Sequence, residues 1–468
     1  MNDTRSTSDD GRLVRLVFWG LVAVVAWVPL PLASNRPWAW SLLALGIGAL
    51  LTGWAVATLT RRHLVRLGWA RLGVPMVLLG ASFLWFMVQA SPLAPSAWHA
   101  PLWDSAAATL GLRSLPGAIS VDPAASAAGA MRLLAYGGVF WLAAQYGRDP
   151  DDARRLLWAV SFITFAYALY GLVAHLSGNE TILWFAKWAY RGDLTATFVN
   201  RNAWGIYAGI GTLTVLTLMV RLAERSQSAG LGGRTAVIHF FDRMHPAFWA
   251  LAFAWVTLAT ALALSHSRGA LASTVLGTAV LLGGLSVGTG WRERRRGLAI
   301  AALLLIAAGF AVIEVSGRGT LGRIVALAGE GTGREPIHAL VWRAIADTPW
   351  TGRGLDTFPQ VFYAYRDSSI PWDSPRYDKA HGAFLELALE AGWIAFAAIV
   401  AALAWVIGVL AVGVVRRRRR AIYPCLGLAA SALVGVQAIY DFGIQMPAIA
   451  VTYFTLMGVA FAQSFRTR

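Results

Sequence analysis

Residues 378–394 read Asp378-Lys379-Ala380-His381-Gly382-Ala383-Phe384-Leu385-Glu386-Leu387-Ala388-Leu389-Glu390-Ala391-Gly392-Trp393-Ile394, and beyond them no charge appears until Arg416. A polar segment here turns into an apolar run longer than the roughly 20 residues a helix needs to cross about 30 Å of hydrocarbon. The stretch therefore reads as the mouth of a membrane span. Membrane proteins rarely keep ionisable groups at such a boundary without using them, which singles out His381, Glu386 and Glu390.

Similar runs recur along the chain, which has 468 residues, 57% hydrophobic and 14% charged, with 22 tryptophans and a mean hydropathy of +0.56. This is too apolar for an ordinary soluble domain. Uninterrupted apolar runs fit helices, whereas a barrel would show short alternating segments. The expected fold class is an all-α polytopic membrane protein of about 12 transmembrane helices. They fall near 13–33, 38–60, 72–90, 129–147, 155–176, 197–221, 247–264, 269–288, 297–315, 383–413, 422–440 and 445–464. The whole of 1–468 is expected to be a single integral-membrane domain, with no separate soluble unit.

With the N-terminus inside, the inward connections collect Arg61, Arg62, Arg66 and Arg71, then Arg148, Arg154 and Arg155, then Arg221, Arg225, Arg234 and Arg243, then Arg292 and Arg294 to Arg296, then Arg416 to Arg420. The positive-inside rule then orients the chain with both termini cytoplasmic. It also accounts for most of the net charge of +16, because arginines at helix ends sit beside an anionic leaflet. No nucleic-acid partner is expected. The polar first ten residues lead directly into a long span, unlike a cleavable signal peptide. Cys425 is the only cysteine, so no intramolecular disulfide or thiolate metal cluster can form.

Three outward segments interrupt the helices, near 91–128, 177–196 and 316–382. Loops of this length are usually functional. The last, 316–382, is the longest, and it carries Arg318, Arg323, Arg334, Arg343, Arg353, Arg366, Arg376 and Lys379, against the inside-positive trend. Within it, Ile337, Leu340, Val341 and Ile345 have helical spacing, and Thr348-Pro349-Trp350 stops that helix because the residue before proline avoids helical angles. Thr351-Gly352-Arg353-Gly354 is expected to be a turn whose glycines let backbone approach a ligand closely. The segment reads as a partly helical lid over the outer mouth of the bundle.

The polar motifs on the outward side suit an anion. In Tyr190-Arg191-Gly192-Asp193-Leu194-Thr195-Ala196-Thr197-Phe198-Val199-Asn200-Arg201-Asn202, Asn200 or Asn202 can cap the following helix. The guanidinium groups of Arg191 and Arg201 offer rigid donor forks matched to phosphate oxygens. Ser265-His266-Ser267-Arg268-Gly269 joins two apolar helices so tightly that Arg268 must lie at the membrane boundary, where a phosphate partner would offset its burial. His381 lies near a helix N-terminus, which disfavours an imidazolium and leaves a neutral ring able to accept a proton. Glu386 and Glu390 share a helix face and are placed to orient the imidazole or an acceptor hydroxyl, or to pair with an arginine. No metal-ligand spacing or phosphate-cradling loop occurs where these residues gather, so neither metal nor cofactor is expected.

Together these pieces resemble the O-antigen ligase and polymerase family. The resemblance is carried by Arg191-Gly192 with Thr197 to Asn202, by Ser267-Arg268-Gly269, by Trp342-Arg343-Ala344 with Thr348 to Gly354, and by Ala380-His381-Gly382-Ala383-Phe384-Leu385-Glu386 with Gly392. It implies a GT-C-type glycosyltransferase at the periplasmic face of the bacterial inner membrane. The donor would be an undecaprenyl-diphosphate-linked glycan and the acceptor a glycan or lipid A-core hydroxyl, in an inverting-type displacement. By the same resemblance, arginines matching Arg191 and Arg268 hold the diphosphate, while the histidine matching His381 activates the acceptor; Glu386 is the catalytic candidate beside it. Arg201, Arg343 and Arg353 are further candidates for the diphosphate. Gly382 and Ala395 depart from the ligase pattern, which tells against the ligase assignment specifically and leaves the role of His381 intact; polymerase and ligase both stay open. The competing reading is a lipid-linked glycan transporter or flippase, but transporters place their polar groups at the bilayer midplane.

Overall fold

The computed structural model describes residues 3–60, 65–226, 245–287, 335–371, 377–417 and 421–466. Among them the regular structure is almost entirely helical. The helices are α1 (Asp3–Trp27), α2 (Pro37–Thr60), α3 (Trp69–Gln89), α4 (Leu102–Thr109), α5 (Pro123–Gly147), α6 (Pro150–Leu176), α7 (Arg201–Ser226), α8 (Pro246–Ala263), α9 (Arg268–Ser286), α10 (Glu335–Asp347), α11 (Phe358–Tyr365), α12 (Ala383–Arg416), α13 (Ile422–Tyr440) and α14 (Pro447–Ser464). Ten of these are long and apolar enough to cross a membrane, so the expectation of an all-α, multi-pass membrane protein holds. The expected ninth span, 297–315, lies outside the described residues. The first is a helix that stops at Trp27 rather than reaching residue 33. Pro29 and Pro31 follow within a few residues, and Leu32, Ala33 and Ser34 all have positive φ, a backbone no helix can continue. A small antiparallel hairpin, Thr181–Ile182 against Phe185–Ala186, is the one pair of strands among the described residues.

Helix starts follow local chemistry. Asp122, Asp149, Asn200, His245 and Ser267 each accept a first-turn backbone N–H through their side chains, and proline follows three of them where its missing N–H costs nothing. The bundle closes around α14, whose spanning window is 94% buried. Small residues allow this: a Cβ on Gly458 would lie 2.6 Å from the carbonyl oxygen of Phe140 in α5, so the two backbones approach as tightly packed membrane helices do.

The helix ends sort to two faces. On one, Arg66 reaches Asp152 at 3.4 Å, Arg148 donates to the carbonyls of Ala462 (3.2 Å) and Phe465 (2.7 Å) at the end of α14, and Arg221 donates to the Tyr423 hydroxyl at 2.6 Å. The other face carries the starts of α5, α7, α9, α12 and α14 together with the lid.

The lid contains α10 and α11, and it has its own apolar cluster. Ile337, Leu340, Val341 and Ile345 are buried with Phe358, Val361, Phe362, Ala388 and Leu389, while Arg343 and Asp347 face outward, as the spacing predicts. α10 ends at Asp347, before Thr348-Pro349. The turn that follows inserts into a break in α12, where Gly392 adopts φ 71 and ψ 163. Arg353 N–H donates to the carbonyls of Leu389 (3.1 Å) and Glu390 (3.3 Å), Gly354 N–H to Glu390 (3.0 Å), and Trp393 N–H to Pro349 (2.8 Å). From α3, Gln89 Nε2 donates to Thr351 O (2.6 Å) and Glu390 O (2.9 Å), and Trp85 Nε1 to Ala391 O (2.9 Å). Backbone groups freed by the break are thus satisfied from outside the helix, avoiding about 1–3 kcal/mol for each buried group otherwise left unmade. The expected close approach at Gly352 is real, with φ 67 and room so tight that a Cβ there would lie only 2.6 Å from Gly392 N, but what approaches is the backbone of α12.

Candidate functional site

Two charged clusters occupy the lid face, and a hydrogen-bonded bridge joins the segments that hold them. The first is centred on Asp193, which is 9% exposed. The chain from Asp193 to Phe198 is buried throughout, anchored where Leu194 N–H donates to Leu264 O at 3.0 Å and where the Phe198 ring packs on Trp204 and Tyr207. That anchoring holds the Asp193 carboxylate beneath the rim. One oxygen meets Arg201 Nη1 at 2.9 Å and the other His266 Nδ1 at 2.7 Å, while Lys187 Nζ donates to the Asp193 carbonyl at 2.7 Å. Arg201 is already occupied at Nη1, yet its buried Nε has no hydrogen-bond partner. Arg191 donates from Nε to Lys187 O at 3.0 Å. Its side chain and that of Arg268 are exposed.

The second cluster links the lid to the bundle. Lys379 Nζ lies 3.0 Å from Glu386 and 3.6 Å from Asp356, and Asp356 meets Arg132 Nη2 at 2.5 Å. Glu386, 1% exposed, also accepts Ala380 N–H at 2.8 Å, so it fixes the backbone immediately before His381. Glu390 accepts Phe358 N–H at 3.1 Å and so caps the start of α11. Burial works to depress the Lys379 pKa, but the carboxylates of Glu386, Asp356 and Glu390 outweigh it and raise the pKa above the ordinary lysine value.

Beside this cluster opens a cavity of about 360 Å³ bounded by α5, α12, α13 and α14. Its polar end is made by Arg132, Asp356, Lys379 and Glu386. The rest is mostly apolar, interrupted by Glu390, Ser431 and Gln445, and follows α12 from Ala383 to Ile407, a length of roughly 35 Å at 1.5 Å per residue.

The bridge runs between the motifs. Ser267 Oγ donates to Asn202 Oδ1 at 2.9 Å, and Asn202 Nδ2 donates to Asp441 Oδ2 at 2.9 Å. The Asp441 carbonyl accepts Ala383 N–H at 3.2 Å, two residues beyond His381. The His381 ring packs edge-on against Phe442, with centroids 5.4 Å apart, and its backbone adopts φ 53. His338 contacts Ala380 O at 3.2 Å from the lid side. Arg201 and Arg268, which flank Asn202 and Ser267, are therefore carried on segments tied directly to the loop bearing His381.

The remaining candidates serve the lid. Arg343 is paired with Asp367 at 2.9 Å on the surface. Arg353 Nη2 donates to the Tyr365 hydroxyl at 2.6 Å, and that hydroxyl donates to Asp347 at 2.5 Å, joining the turn to α10 and α11. Sequence reasoning gave no role to Arg132, Asp356, His266 or Asp441. Arg132 carried a usable signal, being a cation inside an apolar span. Asp441 carried none, since its importance lies in a contact with Asn202 from the other half of the chain.

Residues 253–400 match the family model described as O-antigen ligase. This range includes Arg268, Arg343, Arg353, His381, Glu386 and Glu390; Arg191 and Arg201 precede it. No curated protein matches the chain significantly.

Proposed function

We propose that this chain, which carries an O-antigen ligase domain and so belongs with the membrane glycosyl-transfer proteins of polysaccharide assembly, moves a glycan from a polyprenyl diphosphate onto an acceptor hydroxyl at its lid face. Arg191, Arg201 and Arg268 hold the diphosphate, and His381 takes the acceptor proton. The observation that carries this reading is the bridge Ser267–Asn202–Asp441–Ala383, which couples the arginine-bearing segments to the histidine-bearing loop.

The chemistry needs both parts. As the bond from the anomeric carbon to the diphosphate breaks, negative charge builds on the leaving oxygen, and cations already positioned around it stabilise that charge more than the ground state. The attacking hydroxyl must lose its proton to a nearby base, and a histidine held by flanking backbone contacts suits the task. Glu386 acts through the backbone it fixes at Ala380. The largely apolar cavity along α12 is long enough for several isoprene units and opens at Arg132, Asp356, Lys379 and Glu386, apart from the three arginines; room for an isoprenoid chain beside the lid supports a lipid-linked donor. The inside-positive arginines on the opposite face support a periplasmic position for the lid, with undecaprenyl diphosphate as carrier and either a growing glycan or lipid A-core as acceptor.

The test uses the purified chain with lipid-linked repeat units, with and without lipid A-core. Long chains identify a polymerase and a lipid A adduct identifies a ligase. Absence of both, under conditions where a known homologue turns over, overturns the reading.

A further inference from the structure

His266 is an imidazole that the reading above leaves without work. It sits in the turn between α8 and α9 at φ 51, a backbone angle disfavoured for any residue with a Cβ and kept only where the surroundings impose it. Here they do. Ser265 Oγ donates to Leu262 O at 2.6 Å and accepts Ser267 N–H at 3.3 Å, Ser267 is held by Asn202, and Leu264 O is held by Leu194.

The ring is aimed as firmly as the backbone. Nδ1 lies 2.7 Å from Asp193 Oδ1, and the other oxygen of that carboxylate is taken by Arg201. An ionised carboxylate only accepts, so Nδ1 carries the hydrogen and Nε2 is the nitrogen left for a ligand. The side chain is 44% exposed. A carboxylate fixing one imidazole nitrogen so that the other can exchange protons is the arrangement of acid–base dyads.

We propose that His266 is a catalytic acid, giving a hydrogen bond and then a proton from Nε2 to the departing diphosphate. This rests on the glycosyl-transfer reading and adds what its arginines cannot supply, since a guanidinium neutralises charge but does not give up its proton. In the step, the acceptor oxygen bonds to the anomeric carbon and its proton passes to His381. The bond from that carbon to the diphosphate oxygen breaks, its electron pair stays on the oxygen, and the protonated His266 donates Nε2–H to it. Water then restores both rings, removing the proton from His381 and returning one to His266.

The charged groups around the ring are Asp193 in direct contact, Arg201 on the other oxygen of that carboxylate, Lys187, Glu180 and Arg191 linked through the Asp193 segment, and Arg268 on the same turn. A pH effect that is present in wild type and disappears when residue 266 is no longer histidine reports the imidazole.

The experiment measures farnesyl diphosphate binding to the full chain in detergent from pH 5.5 to 8.5, alongside glycosyl transfer, for wild type, His266→Gln, Asp193→Asn and Arg268→Ala. The expected result is that His266→Gln binds about tenfold more weakly at the acid end, loses the part of the pH dependence specific to wild type, and lowers kcat about a hundredfold with acceptor KM unchanged. Asp193→Asn should reproduce the altered pH profile, and it decides the matter if the glutamine variant does not fold. A His266→Gln protein with wild-type rate and pH profile overturns the inference while leaving the glycosyl-transfer reading standing. Wild-type protein that neither binds the diphosphate nor transfers glycan overturns both.

Discussion

Asn202 and Asp441 are 239 positions apart, and their side chains meet at 2.9 Å. Asn202 belongs to the first turn of α7 and Asp441 ends α13. Their contact is the only side-chain bond in the bridge that crosses between the two halves of the site. Asp441→Ala should leave the Asn202 amide unpartnered and loosen the loop bearing His381, lowering transfer at least tenfold. Asp441→Asn keeps an acceptor oxygen and should retain most activity. Steady-state kinetics on both variants checks this, and equal loss in the two would argue that the charge of Asp441 matters rather than its position.

Arg268→Ala should reduce kcat by about a hundredfold or more, corresponding to about 3 kcal/mol of lost stabilisation of the leaving group. Arg268→Lys should also be impaired, because an ammonium cannot offer two parallel donors. His381→Ala should abolish product in a protein that still purifies as a folded species. Turnover in that variant would remove the proposed base.

Gly352→Ala places a Cβ against the backbone of Glu390, Ala391 and Gly392 at a positive φ. The lid turn cannot then seat in the break of α12. A loss of stability of several kcal/mol is expected, well above the roughly 1 kcal/mol typical of a point substitution. Thermal unfolding in detergent measures it, and a Tm within a degree of wild type would contradict the docking described above.

Arg132 is paired with Asp356 at 2.5 Å, and both are largely buried. Removing Arg132 leaves Asp356 with Lys379 alone, 3.6 Å away, so Arg132→Met should cost part of the about 3–5 kcal/mol that breaking a buried pair costs, whereas replacing both with apolar residues of similar volume should cost less. A double-mutant cycle on unfolding midpoints gives the coupling energy. Additive effects would mean that the two residues do not depend on one another.

Lys379 supplies a pH control. Its pKa is raised above the ordinary lysine value, so its contribution to stability is fully present below that value and is lost only as pH climbs through the higher, folded-state value. Between pH 6 and 9 the Lys379–Glu386 pair should therefore make no difference to the pH dependence of Tm. Comparing Glu390→Gln with the Lys379→Met, Glu390→Gln double variant across this range, so that the neighbouring carboxyl adds no titration of its own, tests it: the difference in Tm should stay constant.

The membrane spans, the lid helix at Glu335–Asp347 and the cap at Asn200 were legible in the sequence because each is set by neighbours a few residues away. Apolar run length, the spacing of Ile337, Leu340, Val341 and Ile345, and an asparagine before an apolar helix are all local signals. The bridge was not legible, since Asn202, Ser267, Asp441 and Ala383 come together only through the packing of α7, α9, α12 and α13. The glycine turn was half legible. Positive φ at Gly352 could be foreseen, but nothing in the sequence says that its neighbour is a carbonyl of α12. Arg132 could have been noticed as a charge within a span, and its partner Asp356 could not.

The insertion of Pro349–Gly354 into α12 has a practical corollary for exchanging parts between related chains. A graft of the loop alone, cut at Gly382, would bring in a turn shaped for one helix and seat it in another, leaving the carbonyls of Leu389 and Glu390 facing mismatched donors. A working transplant has to take its downstream cut beyond Trp393, so that plug and socket travel together.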